Sequence, residues 1–170
     1  MKKLIISIIL LSFVNLSNIF CQNSSIKNYN NSFGIRPFAT IVSSLIGASD
    51  LVIEAETAFS KTASIKVIDE FTKIGDINGF GLNIGPQYTI SGSYLDGLKI
   101  GFFPGIMLFT SSYDGSMIFP ISLMSELSYQ HIFNSGFYLG AYIGYSYILS
   151  PLYFGQIKYG AIVGFSYEKK

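Results

Sequence analysis

The residues best suited to catalysis lie in the stretch ELSYQH, residues 126 to 131. Glu126, Ser128 and His131 are residue types of a serine hydrolase, in which the histidine must lie within hydrogen-bonding distance of the nucleophile. If the stretch is a strand, side chains alternate between its two faces, so Glu126 and Ser128 share one face and His131 lies on the other. This spacing argues against catalysis. We expect a protein that is not an enzyme, with His131 in a turn or at an interface.

No other residues have the spacing of a reactive or ligand-binding site. Cys21 is the only cysteine, so an internal disulfide is impossible. The sequence contains no cluster with metal-ligand spacing and no glycine-rich loop that would bind a phosphate. We therefore predict no metal and no cofactor.

Alternating apolar and small or polar residues, as in FYLGAYIGYSY (residues 137 to 147), recur along the chain. Short connections rich in Gly, Ser, Asn and Asp separate these stretches. The predicted strands are 33–45, 50–60, 62–70, 79–90, 97–109, 117–131, 136–148 and 156–167. Such a series predicts an all-β fold, an eight-stranded antiparallel up-and-down β-barrel. Its outward loops are predicted near 46–49, 71–78, 110–116 and 149–155.

Most charges within these strands fall on one parity, and the other parity is aliphatic and aromatic. The charged set is Arg36, Glu54, Glu56, Lys66, Glu70, Lys99, Glu126 and Lys158. Four are basic and four acidic, and unpaired buried charges are costly, so we expect a network of ion pairs that fills the lumen. A narrow pore for ions or small solutes, lined by the same residues, is the alternative.

The scarcity of charge indicates which face is outside. Only 12% of the chain is charged, against about 25% in an ordinary soluble domain. A soluble secreted barrel would turn the polar face to water, but that face carries too few charges for an outer wall. Strands of about ten residues with alternating faces also suit a transmembrane barrel. We therefore predict a transmembrane β-barrel with its apolar face toward lipid.

The amino terminus has the pattern of a secretory signal peptide. Lys2 and Lys3 precede an apolar run that is too short for a stable membrane anchor. We predict a signal peptide over 1–21, a polar tether over 22–32 and the barrel over 33–170. Cys21 either ends the signal or is a lipid-modified first residue, and simple cleavage fits better because Phe20 precedes it. Without Lys2 and Lys3, nine of the eleven basic residues remain against ten acidic ones, so bulk charge attracts no nucleic acid.

With this pattern and length, residues 33–167 resemble the small bacterial outer-membrane barrels of the OmpA and OmpX type. The resemblance rests on no diagnostic motif. It implies a place in the outer membrane, contact with its lipid and assembly by the outer-membrane machinery, which recognises a terminal aromatic residue. Tyr167 suits that role, although Glu168, Lys169 and Lys170 follow it.

We expect a structural or surface-interaction role for this barrel, as a monomer with an unknown extracellular partner. The loop LSPLYFG is the stretch we would test for contact with a partner or with lipid, through Leu152, Tyr153 and Phe154.

Overall fold

The computed structural model describes residues 29–37, 48–149 and 153–168, excluding the side chains of residues 48, 49, 93 and 154. Within them lie nine strands: Asn31–Ile35 (β1), Ala48–Ala58 (β2), Ala63–Ile74 (β3), Ile77–Ser93 (β4), Asp96–Ser111 (β5), Met117–Ile118 (β6), Ile121–Ile132 (β7), Phe137–Ile148 (β8) and Phe154–Tyr167 (β9). No helix in this part of the chain is long and apolar enough to cross a membrane.

Eight of these strands close into an antiparallel barrel. β1 to β5 pair in sequence, β5 then pairs with β7, β7 with β8 and β8 with β9, and β9 returns to β1. β6 is a two-residue strand that pairs only with β5, at Phe109 and Thr110. The predicted eight-stranded antiparallel barrel is therefore confirmed.

The stagger of the barrel follows from the register of successive strands. The partners around one circuit are Phe154, Ile148, Ser122, Gly105, Asn83, Ile68, Glu54, Gly34 and Gly164. The circuit begins and ends on β9 but returns ten residues further along, from 154 to 164. With a rise of about 3.3 Å per residue and a strand spacing of about 4.8 Å, this stagger tilts the strands by about 40°. Each residue then advances about 2.5 Å along the barrel axis.

The two ends of the barrel differ in their connections. The terminal end contains residues 29–30, the turns 59–62, 94–95 and 133–136, and residue 168. The loop end contains the turn 75–76, the loop 112–116, and the ends of β1 and β8.

Several strand limits differ from those predicted. β1 covers Asn31–Ile35, so two residues assigned to the tether belong to the wall. Pro37 lies outside the strand, and the rest of the predicted 33–45 strand falls beyond the described residues. The predicted 117–131 strand is interrupted before Ile121, because Pro120 cannot donate a backbone hydrogen bond to a ladder.

The loop predicted over 71–78 is wrong. β3 continues to Ile74 and β4 begins at Ile77, so the connection is a two-residue turn. Gly75 has φ of 57°, a conformation that glycine adopts without steric cost, so the chain can reverse there at once. The loops predicted over 110–116 and 149–155 are also shorter than predicted, because β5 extends to Ser111 and β9 begins at Phe154. β2 begins at Ala48, whereas most of the connection before it lies outside the described residues.

Candidate functional site

The eight charged residues predicted for the lumen all lie on inward-facing positions of the barrel. Lys158 is half-buried, and the other seven are between 0 and 8% exposed. Strand alternation places them there, because each is flanked in sequence by residues that point outward. The structure divides them into a central group of six and a separate pair near the loop end.

Arg36 lies at the centre of the first group. Its Nε and Nη2 atoms donate to Glu54 Oε2 at 2.9 and 2.7 Å. Its Nη1 atom lies 2.8 Å from Oε2 of Glu126, across the lumen on β7. The guanidinium carbon lies 4.0 Å from the centre of the Tyr142 ring, which adds a cation–π contact. Lys66 contacts the same two carboxylates, with its Nζ atom 3.5 Å from Glu54 Oε2 and 3.4 Å from Glu126 Oε1.

Lys99 and Glu56 form the part of the central group nearest the terminal end. Lys99 Nζ donates to Glu56 Oε2 at 2.6 Å and to Gln130 Oε1 at 3.0 Å. The Ser64 hydroxyl donates to the other Glu56 oxygen. With its amide nitrogen toward Glu56, Gln87 donates at 2.8 Å and accepts from the Ser128 hydroxyl at 2.9 Å. Glu56 is thus held by one cation and two polar side chains.

Charge balances within the central group. It contains three cations and three carboxylates, all buried. The remaining pair, Glu70 and Lys158, is bonded directly across the loop end of the lumen, between β3 and β9. Each of these eight charges therefore has an opposite partner, and the net charge of the set is zero.

Apolar layers lie on both sides of the central charges. Toward the terminal end, Ala58, Leu95, Ile132, Tyr138, Tyr142 and Ile162 pack together, with Tyr29 and Tyr94 against them. Toward the loop end, Val52, Ile68, Phe103 and Met124 form a second cluster. Leu95 and Phe103 are 0% exposed. A continuous water-filled channel would expose the side chains that line it, so the described residues leave no such passage.

The Tyr138 side chain extends inside the barrel from β8 across β9 to β1, because both of these strands carry glycine beneath it. Gly34 and Gly164 are register partners, and Gly164 is in turn the partner of Tyr138. A Cβ on Gly34 would lie 2.0 Å from the Tyr138 hydroxyl oxygen, and one on Gly164 would lie 2.7 Å from the ring. Small residues therefore make room for large ones inside a narrow barrel.

The possible hydrolase residues do not come together. Glu126 contacts Arg36 and Lys66, and the Ser128 hydroxyl contacts Gln87. His131 lies on the outward face, where its Nδ1 atom is 3.6 Å from Asp96 Oδ1. Among the described residues, no group of three or more His, Cys, Asp or Glu side chains is placed to hold a metal ion.

The outward face of the barrel is an apolar belt. Its exposed side chains include Phe33, Leu51, Ile65, Phe80, Ile84, Ile100, Phe102, Leu127, Leu139, Ile143, Ile157 and Phe165. At the terminal end, aromatic rings succeed one another at centroid distances of 4.9 to 5.9 Å, from His131 through Phe133 and Phe137 to Phe165. The stretch 137 to 147 follows the same division, with Leu139 and Ile143 outside and Tyr138 and Tyr142 inside.

The loop end exposes aromatic and acidic side chains. Tyr153 is 64% exposed, whereas Leu152 and the Phe154 side chain fall outside the described residues. Tyr113, which the sequence did not single out, is 91% exposed. The backbone N–H of Ser116 donates to Asp114 Oδ1 at 3.0 Å, and this hydrogen bond, together with those of the Ser111 and Ser116 side chains, lowers the pKa of Asp114 to about 2. Cys21 and the predicted signal peptide lie outside the described residues.

The sequence analysis missed the large apolar side chains inside the barrel, which are Leu95 and the cluster of Val52, Ile68, Phe103 and Met124. Leu95 lies in the two-residue turn between β4 and β5, within the polar stretch SGSYLD, yet it is fully buried. A large aliphatic residue in an otherwise polar turn was the available signal. No protein-family model matches this chain, and no curated protein or solved structure matches it either.

Proposed function

We propose that this protein is a bacterial outer-membrane β-barrel without enzymatic activity, exported by a cleaved signal peptide. Its role is structural or in surface interaction, and its lumen is filled by side chains. The observation that carries the proposal is the inversion of an ordinary soluble fold: the buried interior holds the ion pairs and the outward face is apolar. A face of this kind is unfavourable in water and favourable in lipid.

The height of the apolar belt supports this proposal. On β8, Phe137 and Tyr147 bound the outward-facing apolar positions and are ten residues apart. At about 2.5 Å per residue along the axis, the belt is about 25 Å high, which is the height of the apolar band of outer-membrane barrels. The aromatic row at the terminal end corresponds to one of the two interfacial girdles of such barrels.

The filled lumen supports a structural or surface role over transport. Charges that would line a narrow pore are instead paired with one another, and apolar clusters lie above and below them. Solute passage would require these layers to separate. We propose that surface contact occurs at the loop end, where aromatic side chains such as Tyr113 and Tyr153 are exposed.

Membrane fractionation and gel migration test the proposal. The full-length protein, expressed in a Gram-negative host, is expected in the outer-membrane fraction. It should resist extraction by alkaline carbonate and migrate faster on a denaturing gel when it is unheated than after boiling. Recovery as a soluble periplasmic protein, with no difference between heated and unheated samples, would overturn the proposal.

A further inference from the structure

One charged side chain faces outward in the middle of the apolar belt. Asp69 lies on β3 between Ile53 of β2 and Leu82 of β4, its register partners. Strand alternation turns its neighbour Glu70 into the lumen and leaves Asp69 on the outer wall, where it is half-buried. Among the described residues its carboxyl has neither a hydrogen-bond nor an ion-pair partner.

The depth of Asp69 distinguishes it from the other outward-facing charges. Those on the described strands, Lys73, Asp96 and His131, lie close to strand ends. Asp69 is four residues from Lys73 and six from Ala63, which begins β3. At about 2.5 Å per residue, it lies about 10 Å inside the belt from the loop end.

A carboxyl at this depth requires a partner that is also in the membrane. Hydrocarbon offers no hydrogen bonds, so an unpartnered polar group there is unfavourable. A second carboxyl can satisfy it, because two carboxyl groups in contact share a proton and hydrogen-bond to each other. A second copy of this chain, inserted in the same direction, presents such a group at the same depth.

We infer that two copies of this chain pack through the outward face of β2, β3 and β4, with their Asp69 carboxyls paired across a twofold axis. This inference rests on the proposed function and departs from the monomer that the sequence favours. A twofold contact uses the same patch on both copies, as the commonest dimers do.

The surface around Asp69 suits such a contact. Leu51, Ile84 and Phe80 are exposed on the same face. The Phe71 and Phe80 rings lie 5.1 Å apart on the loop-end side of Asp69. Apolar side chains that surround a single polar group give close packing with one directional contact, and that contact fixes the register of the two copies.

Cysteine crosslinking in native membranes tests this contact. In a Cys21→Ser background, Val67→Cys and Phe71→Cys flank Asp69 on the outward face of β3. Ile143→Cys is the matched control, since it is outward-facing, exposed and on β8, diametrically opposite β3 in the strand order. Mild oxidation is expected to give a crosslinked dimer from Val67→Cys or Phe71→Cys and none from Ile143→Cys. Equal yields from the two faces, or no dimer from β3, would overturn the inference.

Substitution of Asp69 itself distinguishes the contribution of its carboxyl to the dimer from the contribution of the surrounding apolar surface. In the Val67→Cys background, Asp69→Leu should fold and insert, but its crosslinking should fall at least fivefold; Asp69→Asn, which can still form a paired hydrogen bond, should retain most of it. Undiminished crosslinking in Asp69→Leu would show that the carboxyls do not pair. Capture of a different protein by the Val67→Cys variant would instead assign the face to a hetero-partner and overturn the homodimer.

Failure of this inference is distinguishable from failure of the proposed function. A protein that fractionates with the outer membrane and shows the heat-dependent migration, but crosslinks on neither face, is a monomeric barrel. A protein that never enters the membrane fraction contradicts the proposed function itself.

Discussion

Arg36 follows the last residue of β1, and its guanidinium reaches Glu126 on β7, with Nη1 and Oε2 2.8 Å apart. Three strand pairings lie between β7 and β1 around the wall. The contact therefore crosses the lumen and joins parts of the barrel that the backbone ladder connects only indirectly. Lys66 joins the same Glu126 from β3, so three sectors of the wall meet at one carboxylate.

Arg36→Ala is expected to destabilise the barrel strongly. It leaves Glu54 and Glu126 with the longer contacts to Lys66, and Glu54 also with the Tyr138 hydroxyl at 3.5 Å. Breaking a buried pair by removing one partner costs about 3–5 kcal/mol. Urea unfolding in lipid vesicles, followed by the fraction that migrates as folded protein on an unheated gel, measures this change. Lys73→Ala, an exposed cation at the loop end, is the control and should change stability by less than about 0.5 kcal/mol.

Rescue distinguishes charge from packing at Arg36. Adding Glu126→Gln to Arg36→Ala removes one uncompensated carboxylate, so the double variant should be more stable than Arg36→Ala alone. If the double variant loses as much stability as the sum of the two single variants, the Arg36–Glu126 pair contributes only through packing.

Gly34→Ala is expected to destabilise the barrel because the new methyl group would overlap the Tyr138 hydroxyl, which lies 2.0 Å from the position of that Cβ. Overpacking of this kind costs about 1–3 kcal/mol. Gly81→Ala is the matched control, since its Cβ would meet Met107 Cε at 3.4 Å, an ordinary contact. The same urea titration measures both. Combined with Tyr138→Phe, which removes the overlapping oxygen, Gly34→Ala should cost less than it does alone; an unchanged cost would refute the overlap.

Sequence alternation predicted which side chains face inward, but not which of them pair. Lys66 and Glu126 meet across the lumen between β3 and β7, and Lys99 of β5 meets Glu56 of β2. These partners depend on the ten-residue stagger of the closed barrel, which no local pattern encodes. Sequence alternation did place Glu70 on the inward face of β3 and its neighbour Asp69 on the outward face. It could not locate the turn at Gly75, because the polar residues Thr72, Lys73 and Asn78 made a continuing hairpin look like a loop.

The purified protein is expected to form no stable channels in planar bilayers. The Arg36→Ala variant should also show no channel conductance, although it is less stable. The physical reason is that the apolar clusters around Leu95 and Phe103 close the lumen independently of the charged layer. A pore lined by the charged residues would instead change its conductance or its ion selectivity when one cation is removed. Stable openings of the wild-type protein, altered by Arg36→Ala, would favour the narrow-pore alternative.

Leu95→Ala is expected to loosen the closure at the terminal end. The Leu95 side chain is 0% exposed and packs with Ile132 and Tyr138, so its truncation leaves a cavity and should cost about 2–5 kcal/mol. Leu98→Ala, three residues further on the outward face of β5, is the control, because in the proposed membrane setting lipid can fill the space that it vacates. Urea unfolding of both variants in the same vesicles measures the difference. Equal losses would mean that Leu95 contributes no more than an outward-facing leucine, and that the terminal-end cluster does not act as a packed core.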